Sequence, residues 1–289
     1  MMTNLNVQTI ETPSGKDADY ENFPVGSWLL PAHLRPHIAR YYRFARAIDD
    51  IADNSDTNSD EKISRLEGFA KVIRGDDTSS SAYVAGHQMR DSLIETGVSE
   101  KHCLDLITAF KQDAIKGRYQ NWDELVEYCL LSAAPVGRYL IDLHGGTENG
   151  YGPSDALCIA LQVINHLQDC KEDYLEMDRV YIPMDWMAAH GVTVENLNQP
   201  KLSDPFRQVL DQVISATADL MPQAHKLPSG MYSRRLAMES QVILNVADRL
   251  IDDLKVQDPL AGRVKLSKPA YIWCTIQGLS GYFAPRNPR

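Results

Sequence analysis

Apolar residues recur at intervals of three and four along almost the whole chain, and strand-like alternation is nearly absent, so the pattern predicts an all-α protein. A long helix is expected from after Pro31 to about Asn54. Helices at roughly 59–75, 81–97, 99–118, 122–144, 153–175, 203–225 and 232–255 follow from the same recurrence. Asp56, Thr57, Asn58, Ser59 and Asp60 are turn-formers that break the first helix and cap the second. Gly145, Gly146, Gly150 and the Gly152-Pro153 pair mark a tight connection. It has neither a preceding strand nor a Lys-Ser/Thr, so it is neither a dinucleotide fold nor a phosphate loop. Residues 1–19 mix Thr, Asn, Ser, Gly and acids and are expected to be disordered, which leaves residues 20–280 as one domain.

Two of these helices invert the usual amphipathic pattern. Tyr42, Arg46, Asp49 and Asp53 stand at i, i+4, i+7 and i+11, the spacing that lines side chains along one helix face. Phe44, Ile48, Ile51 and Ala52 occupy the surface around them. A surface helix has a narrow apolar stripe and a broad polar side; here the polar stripe is the narrow one, so it must face something wet inside the fold. The construction recurs in Gln162, Asn165, Asp169 and Asp173, set among Val163, Ile164 and Leu167. Each helix offers Asp-x-x-x-Asp with carboxylates roughly 6 Å apart. Facing one another, at least four acidic groups repel unless cations lie between them. With no clustered Cys or His, the donor set suits Mg²⁺, or Mn²⁺, which take oxygen ligands and leave positions for water and phosphate oxygens.

Composition narrows the class. The 289 residues are 44% apolar and 24% charged, enough for one large core near the upper size of a single domain. A net charge of −10 argues against nucleic acid or anionic lipid as the main partner. The five cysteines are scattered without a Cys-x-x-Cys, which points to a reducing compartment and no structural zinc. There is no apolar h-region in the first 19 residues and no run near the ~18 apolar residues of a membrane span, so a cytoplasmic location is expected. Docking at the inner face of the cell membrane is a further expectation. Di-iron bundles need Glu-x-x-His on two helices, and no such pair occurs; His-Glu-x-x-His and Gly-x-Ser-x-Gly are also absent.

Tyr42-x-Phe44-x-Arg46-x-x-Asp49-Asp50-x-x-Asp53, and Gln162-x-x-Asn165-x-x-x-Asp169-x-x-x-Asp173 followed by Arg179-Val180-Tyr181-Ile182-Pro183, resemble the two signatures of the squalene/phytoene synthase family of head-to-head prenyl transferases. The resemblance covers about residues 20–275 and includes Glu21-Asn22-Phe23-Pro24-Val25, Ser27-Trp28-Leu29-Leu30-Pro31 and Ser132-Ala133-x-Pro135-Val136-Gly137-Arg138. It implies an isoprenoid-synthase-type helical bundle with a central cavity, in which Asp49, Asp53, Asp169 and Asp173 ligate Mg²⁺ with Asn165. Arg46, Gln162 and Asn165 would contact diphosphate or metal, with Asn22, Tyr42, Val136, Gly137, Arg179 and Tyr181 as further substrate contacts. Within the family, the chain is most similar to the hopanoid-pathway branch that converts presqualene diphosphate and water into hydroxysqualene and diphosphate, a carbon–oxygen lyase reaction without NADPH. Presqualene diphosphate, squalene or phytoene synthesis are the alternatives, and a bundle that binds prenyl diphosphates without turnover is another. Transient contact with other enzymes of the pathway is also expected.

Two departures stand out. Family members commonly carry Arg immediately before the second acidic motif and Ser beside the upstream Phe, where this chain has Gln168 and Asn22. Both changes are expected to thin the contacts to diphosphate and to favour a site that handles one diphosphate ester. Ala133, Ala134, Val136, Gly137 and Leu140 read either as a wall for an isoprenoid chain or as close helix packing. His166 reads as a group orienting the attacking water or as a structural histidine, and Lys171 as a loop cation over diphosphate or a solvated one. Tyr41 and the four tryptophans, Trp28, Trp122, Trp186 and Trp273, are expected to pack, and Arg234 and Arg235 to be surface charges.

Overall fold

Helices form where the apolar recurrence is strongest, and the computed structural model describes them over residues 29–280. In chain order they are α1 (Arg35–Asp53), α2 (Ser59–Arg74), α3 (Val84–Thr96), α4 (Lys101–Asp113), α5 (Trp122–Ser132), α6 (Ala134–Leu143) and α7 (Tyr151–Gln168). There follow α8 (Cys170–Met177), α9 (Met184–Ala189), α10 (Asp204–Ala218), α11 (Met221–Ala224), α12 (Leu227–Gly230), α13 (Arg234–Val256) and α14 (Lys268–Ser280). Among the described residues there is no strand, and Arg118 pairs with Val180 in an isolated parallel bridge. None of the described helices is long and apolar enough to cross a membrane. The disorder expected for residues 1–19, and Asn22, fall outside the described residues.

Caps sit where the side chains allow them. The Asn58 side chain accepts from the Glu61 amide at 2.9 Å and Asn121 from the Glu124 amide at 2.9 Å, starting α2 and α5. Three expected helices are broken. Pro135 has no amide hydrogen and clashes with the turn before it, so the 122–144 segment restarts as α6 after Ala133. Pro222 lies at the start of α11 in the same way. The 153–175 segment bends at Asp169, whose backbone (φ −108°, ψ 9°) leaves the helix between α7 and α8. The short α9 and α12, and α14, are additions to the expected set.

Two apolar cores result. One joins α5, α7, α10 and α13; the other joins α1, α2 and α3. α4 and α6 serve both, since Leu106 and Tyr139 lie in one while Ala109 and Ile141 lie in the other. Gly137 lets α6 lie close on α7, because a Cβ there would stand 2.2 Å from Ser154 Oγ and 2.7 Å from Cys158 Sγ. At this position the residue serves close packing, while Val136 and Leu140 are half-buried against the α1 core. Trp122 stacks on Trp186 with centroids 5.7 Å apart, and Tyr41 on Tyr139 at 4.0 Å. Trp273 departs from expectation. It is 60% exposed because α14 turns Cys274 and Gly278 inward instead; Trp28 is outside the described residues.

Candidate active site

The first seam is held by α1, whose Phe44, Ile48, Ile51 and Ala52 are buried in the core and so fix the opposite stripe. Tyr42, Arg46, Asp49 and Asp53 are all half-buried along it. Arg46 ties two carboxylates at once, Nη1 donating to Asp49 Oδ2 at 2.6 Å and Nη2 to Asp50 Oδ1 at 2.8 Å. Burial pushes the Asp49 carboxyl well above the ordinary carboxylate range; Asp53, Asp50 and Asp113 push the same way, and Arg46 opposes them.

The second seam is equally narrow. Over residues 162–170 the partly accessible positions are Gln162, Asn165 and Asp169, with Val163, Ile164, His166, Leu167, Gln168 and Cys170 buried. Asp173 continues it one turn on, its amide donating to the Asp169 carbonyl at 2.8 Å across the bend. Asp169 is held by Arg263, with Nε 2.6 Å from Oδ1 and Nη2 2.9 Å from Oδ2. Burial raises its carboxyl to about 6, Arg263 pulling it down and Asp173 and Glu172 adding to the rise. His166 is buried and stacked on Tyr181, ring centroids 3.6 Å apart, with Nδ1 3.9 Å from Asp173 Oδ2 and Nε2 3.3 Å from Gln162 Nε2.

The loop after α8 joins the seams. Asp178 takes a left-handed conformation (φ 51°) that reverses the chain, and residues 180–185 then run beside 117–120. The Val180 amide donates to Gly117 O at 2.8 Å and the Met184 amide to Tyr119 O at 2.9 Å. Gly117 is required by this approach, since a Cβ there would stand 2.6 Å from Asp178 O. So fixed, Arg179 is buried and reaches α1: Nη1 lies 2.5 Å from Asp53 Oδ1 and Nη2 donates to Ala52 O at 2.9 Å. Tyr181 turns the other way, donating to Asp113 Oδ1 at 3.2 Å, while Tyr128 donates to Asp113 Oδ2 at 2.7 Å. Burial raises Asp113 to about 7, against the pull of Arg179 and the Tyr128 hydrogen bond. Arg179 thus ties the loop to Asp53, and Asp113, Tyr181, His166 and Asp173 form a second polar run toward the other seam, the two runs being coupled through the charges of Arg179 and Asp113.

Asp113, Tyr128 and Arg263 were not among the residues expected here. Asp113 and Tyr128 were legible, because they fall on the apolar faces of their helices beside Leu106 and Ala109, and beside Leu125 and Cys129. Arg263, in a loop 94 residues from Asp169, carries no such signal. Gln168 corrects an expectation. Its side chain is fully buried and donates to Val264 O at 2.5 Å, so it points away from the seam, and Arg263 beside Val264 restores a cation to Asp169. The predicted thinning of diphosphate contacts at Gln168 therefore loses its basis. Lys171 is half-buried, its Nζ donating to Gln199 O at 3.0 Å and to Leu260 O at 3.4 Å rather than to the seam.

Among the described residues no three Asp, Glu, His or Cys side chains converge as a closed metal site. Asp49, Asp53 and Asp169 are engaged by Arg46, Arg179 and Arg263 instead. The donor set nonetheless fits a hard cation, being all oxygen, with Asp49 and Asp169 both pushed up by burial and neighbouring carboxylates.

Comparison with known proteins gives the family and the fold. The squalene/phytoene synthase family model matches residues 17–270. Hydroxysqualene synthase of Rhodopseudomonas palustris is 38% identical over 277 residues, spanning 96% of this chain and 94% of the relative. Hydroxysqualene synthase of Sinorhizobium fredii is 41% identical over 247 residues, 86% of this chain and 84% of the relative. The crystal structure of squalene synthase HpnC from Alicyclobacillus acidocaldarius superposes with a TM-score of 0.69 at 26% identity, over 79% of this chain and 85% of that one. The all-helical fold is shared.

Proposed function

Because the chain belongs to the squalene/phytoene synthase family, we propose that it converts presqualene diphosphate and water into hydroxysqualene and diphosphate, with Mg²⁺ as cofactor and without NADPH. The observation that carries this reading is the near full-length similarity to hydroxysqualene synthases, and the geometry is of the kind such a reaction needs. Asp49, Asp53, Asp169 and Asp173, with Asn165, are the groups that would hold the metal. Bound Mg²⁺ supplies positive charge against the diphosphate as it leaves.

Three arginines from separate parts of the chain, Arg46, Arg179 and Arg263, already sit on the seam carboxylates and are the cations available to phosphate oxygens. Gln162 and Asn165 add amide contacts on the α7 side, and Tyr42 extends the α1 seam by a turn. Departure of diphosphate breaks the carbon–oxygen bond and leaves a cyclopropylcarbinyl cation, which must rearrange with opening of the three-membered ring before capture and be shielded from random capture meanwhile. The aromatic group of Tyr119, Tyr128, Tyr181 and His166 offers ring faces of the kind that stabilise positive charge. Water then adds to the cation and its proton passes to solvent or to a nearby base, with Asp113 and His166 the groups to test in that role.

A second reading, reductive formation of squalene, is favoured by the description of the Alicyclobacillus relative. Incubation with presqualene diphosphate and, separately, with farnesyl diphosphate, each with and without NADPH, followed by mass identification of the product, decides between them. Hydroxysqualene from the first and little turnover of the second are expected. Rapid consumption of farnesyl diphosphate would point to a condensing enzyme instead.

A further inference from the structure

α14 has two unlike faces. Cys274 and Gly278 are buried against α13, where a Cβ on Gly278 would stand 2.6 Å from a Val242 methyl carbon. On the opposite side Ile272, Trp273 and Ile276 are 57%, 60% and 52% exposed. Scattered exposed apolar residues are ordinary, but three large ones grouped on one short helix mark a contact surface.

The charge around them selects the partner. Residues 259–289 contain five of the chain's 29 Lys and Arg and none of its 39 Asp and Glu, in a protein whose net charge is −10. Two of the five, Lys265 and Lys268, are exposed at the start of α14. The α13 carboxylates whose charge reaches Cys274, Asp248 and Asp253, are turned to His225 (3.0 Å) and Arg249 (3.1 Å). A grouped Trp and Ile face flanked by lysines and free of acids is the composition that seats on an anionic lipid surface: the rings and branched chains enter the headgroup boundary while ammonium groups meet phosphates. The overall negative charge argues against anionic lipid as a partner for the protein as a whole, and this segment is the local exception.

We propose that α14 is a docking surface for an anionic phospholipid bilayer, through Ile272, Trp273 and Ile276 with Lys265 and Lys268. The surface does not depend on which reaction the site performs. Four residues separate Arg263, which holds Asp169, from Lys268, so the docking helix and the site share one short connection.

The test is flotation of the full-length protein with vesicles of phosphatidylcholine alone or mixed with phosphatidylglycerol. The wild type is expected to float with the mixed vesicles and not with the neutral ones. Lys265→Glu with Lys268→Glu should weaken that binding by about thirtyfold or more, at roughly the strength of one lysine per anionic surface contact. Trp273→Ser with Ile276→Ser should weaken it by more than about tenfold, from lost apolar insertion. Both pairs lie on an exposed face, and unchanged melting temperatures will show that folding is intact. Failure of the wild type to float, or binding indifferent to either pair, overturns the proposal. So does a solution dimer dispersed by Ile276→Ser, which would make a second copy the occupant. Binding that appears only after removal of residues 281–289 overturns it too, because the chain's own tail would then be the cover.

Discussion

Replacing Arg179 with methionine removes the cation that joins the two seams while keeping most of the side-chain volume. Arg179 is 6% exposed and its Nη1 lies 2.5 Å from Asp53 Oδ1. Deleting one partner of a buried pair costs about 3–5 kcal/mol, because the other charge is left unopposed. Asp53 is 27% exposed, so water screens part of that charge and the lower figure, about 3 kcal/mol, applies. The Ala52 carbonyl keeps Lys62 Nζ at 2.8 Å and adds little to the loss. For a chain of this size each kcal/mol is worth about 2–3 °C, so the metal-free variant should melt about 6–9 °C below wild type. The assay is a double-mutant cycle with Asp53→Asn, measured by urea unfolding in EDTA. A coupling of about 1.5 kcal/mol or more is expected, since Asp53→Asn removes the charge that Arg179 neutralises. Effects that add within about 0.5 kcal/mol would refute the bridge between the seams.

Asp49→Asn should abolish turnover while raising the melting temperature of the metal-free protein, since burial and Asp53 already disfavour its charge; wild-type turnover at limiting Mg²⁺ would contradict its role. Gln168→Leu should cost about 1–3 kcal/mol by leaving the Val264 carbonyl without its donor, and should lower activity through Arg263. That loss of activity should vanish in an Arg263→Gln background, and its persistence there would separate the two residues. Asp113, raised to about 7, favours the folded state while protonated; this contribution is complete below about pH 4 and fades as pH rises through about 7. Stability should fall over that window by at most about 4 kcal/mol, and Asp113→Asn should flatten the slope in urea midpoints measured against pH.

The two seams were legible because their signal is local. A polar residue every third or fourth position in an apolar helix can be seen without knowing what the helix packs on, and the accessibility of Gln162, Asn165 and Asp169 between buried neighbours follows that spacing. The pairing of the seams was not legible at the level of side chains. It depends on Asp178 reversing the chain and on Gly117 admitting the returning segment, neither of which leaves a periodic trace. Gln168 was misread for the same reason. As the neighbour of Asp169 in sequence it stands next to the motif, but one residue on a helix is a rotation of about 100°, which carries its amide into the core. Breaks at Pro135 and Pro222 were marked by the prolines themselves, and the bend at Asp169 by nothing local.

The central claim is that the cation formed from presqualene diphosphate is captured by water and not by hydride. Turnover of presqualene diphosphate in ¹⁸O-labelled water, with and without NADPH, addresses it directly through the mass of the C30 product. The account predicts hydroxysqualene carrying one ¹⁸O, in a yield indifferent to NADPH and lost in excess EDTA. Unlabelled squalene that forms only when NADPH is present would contradict it.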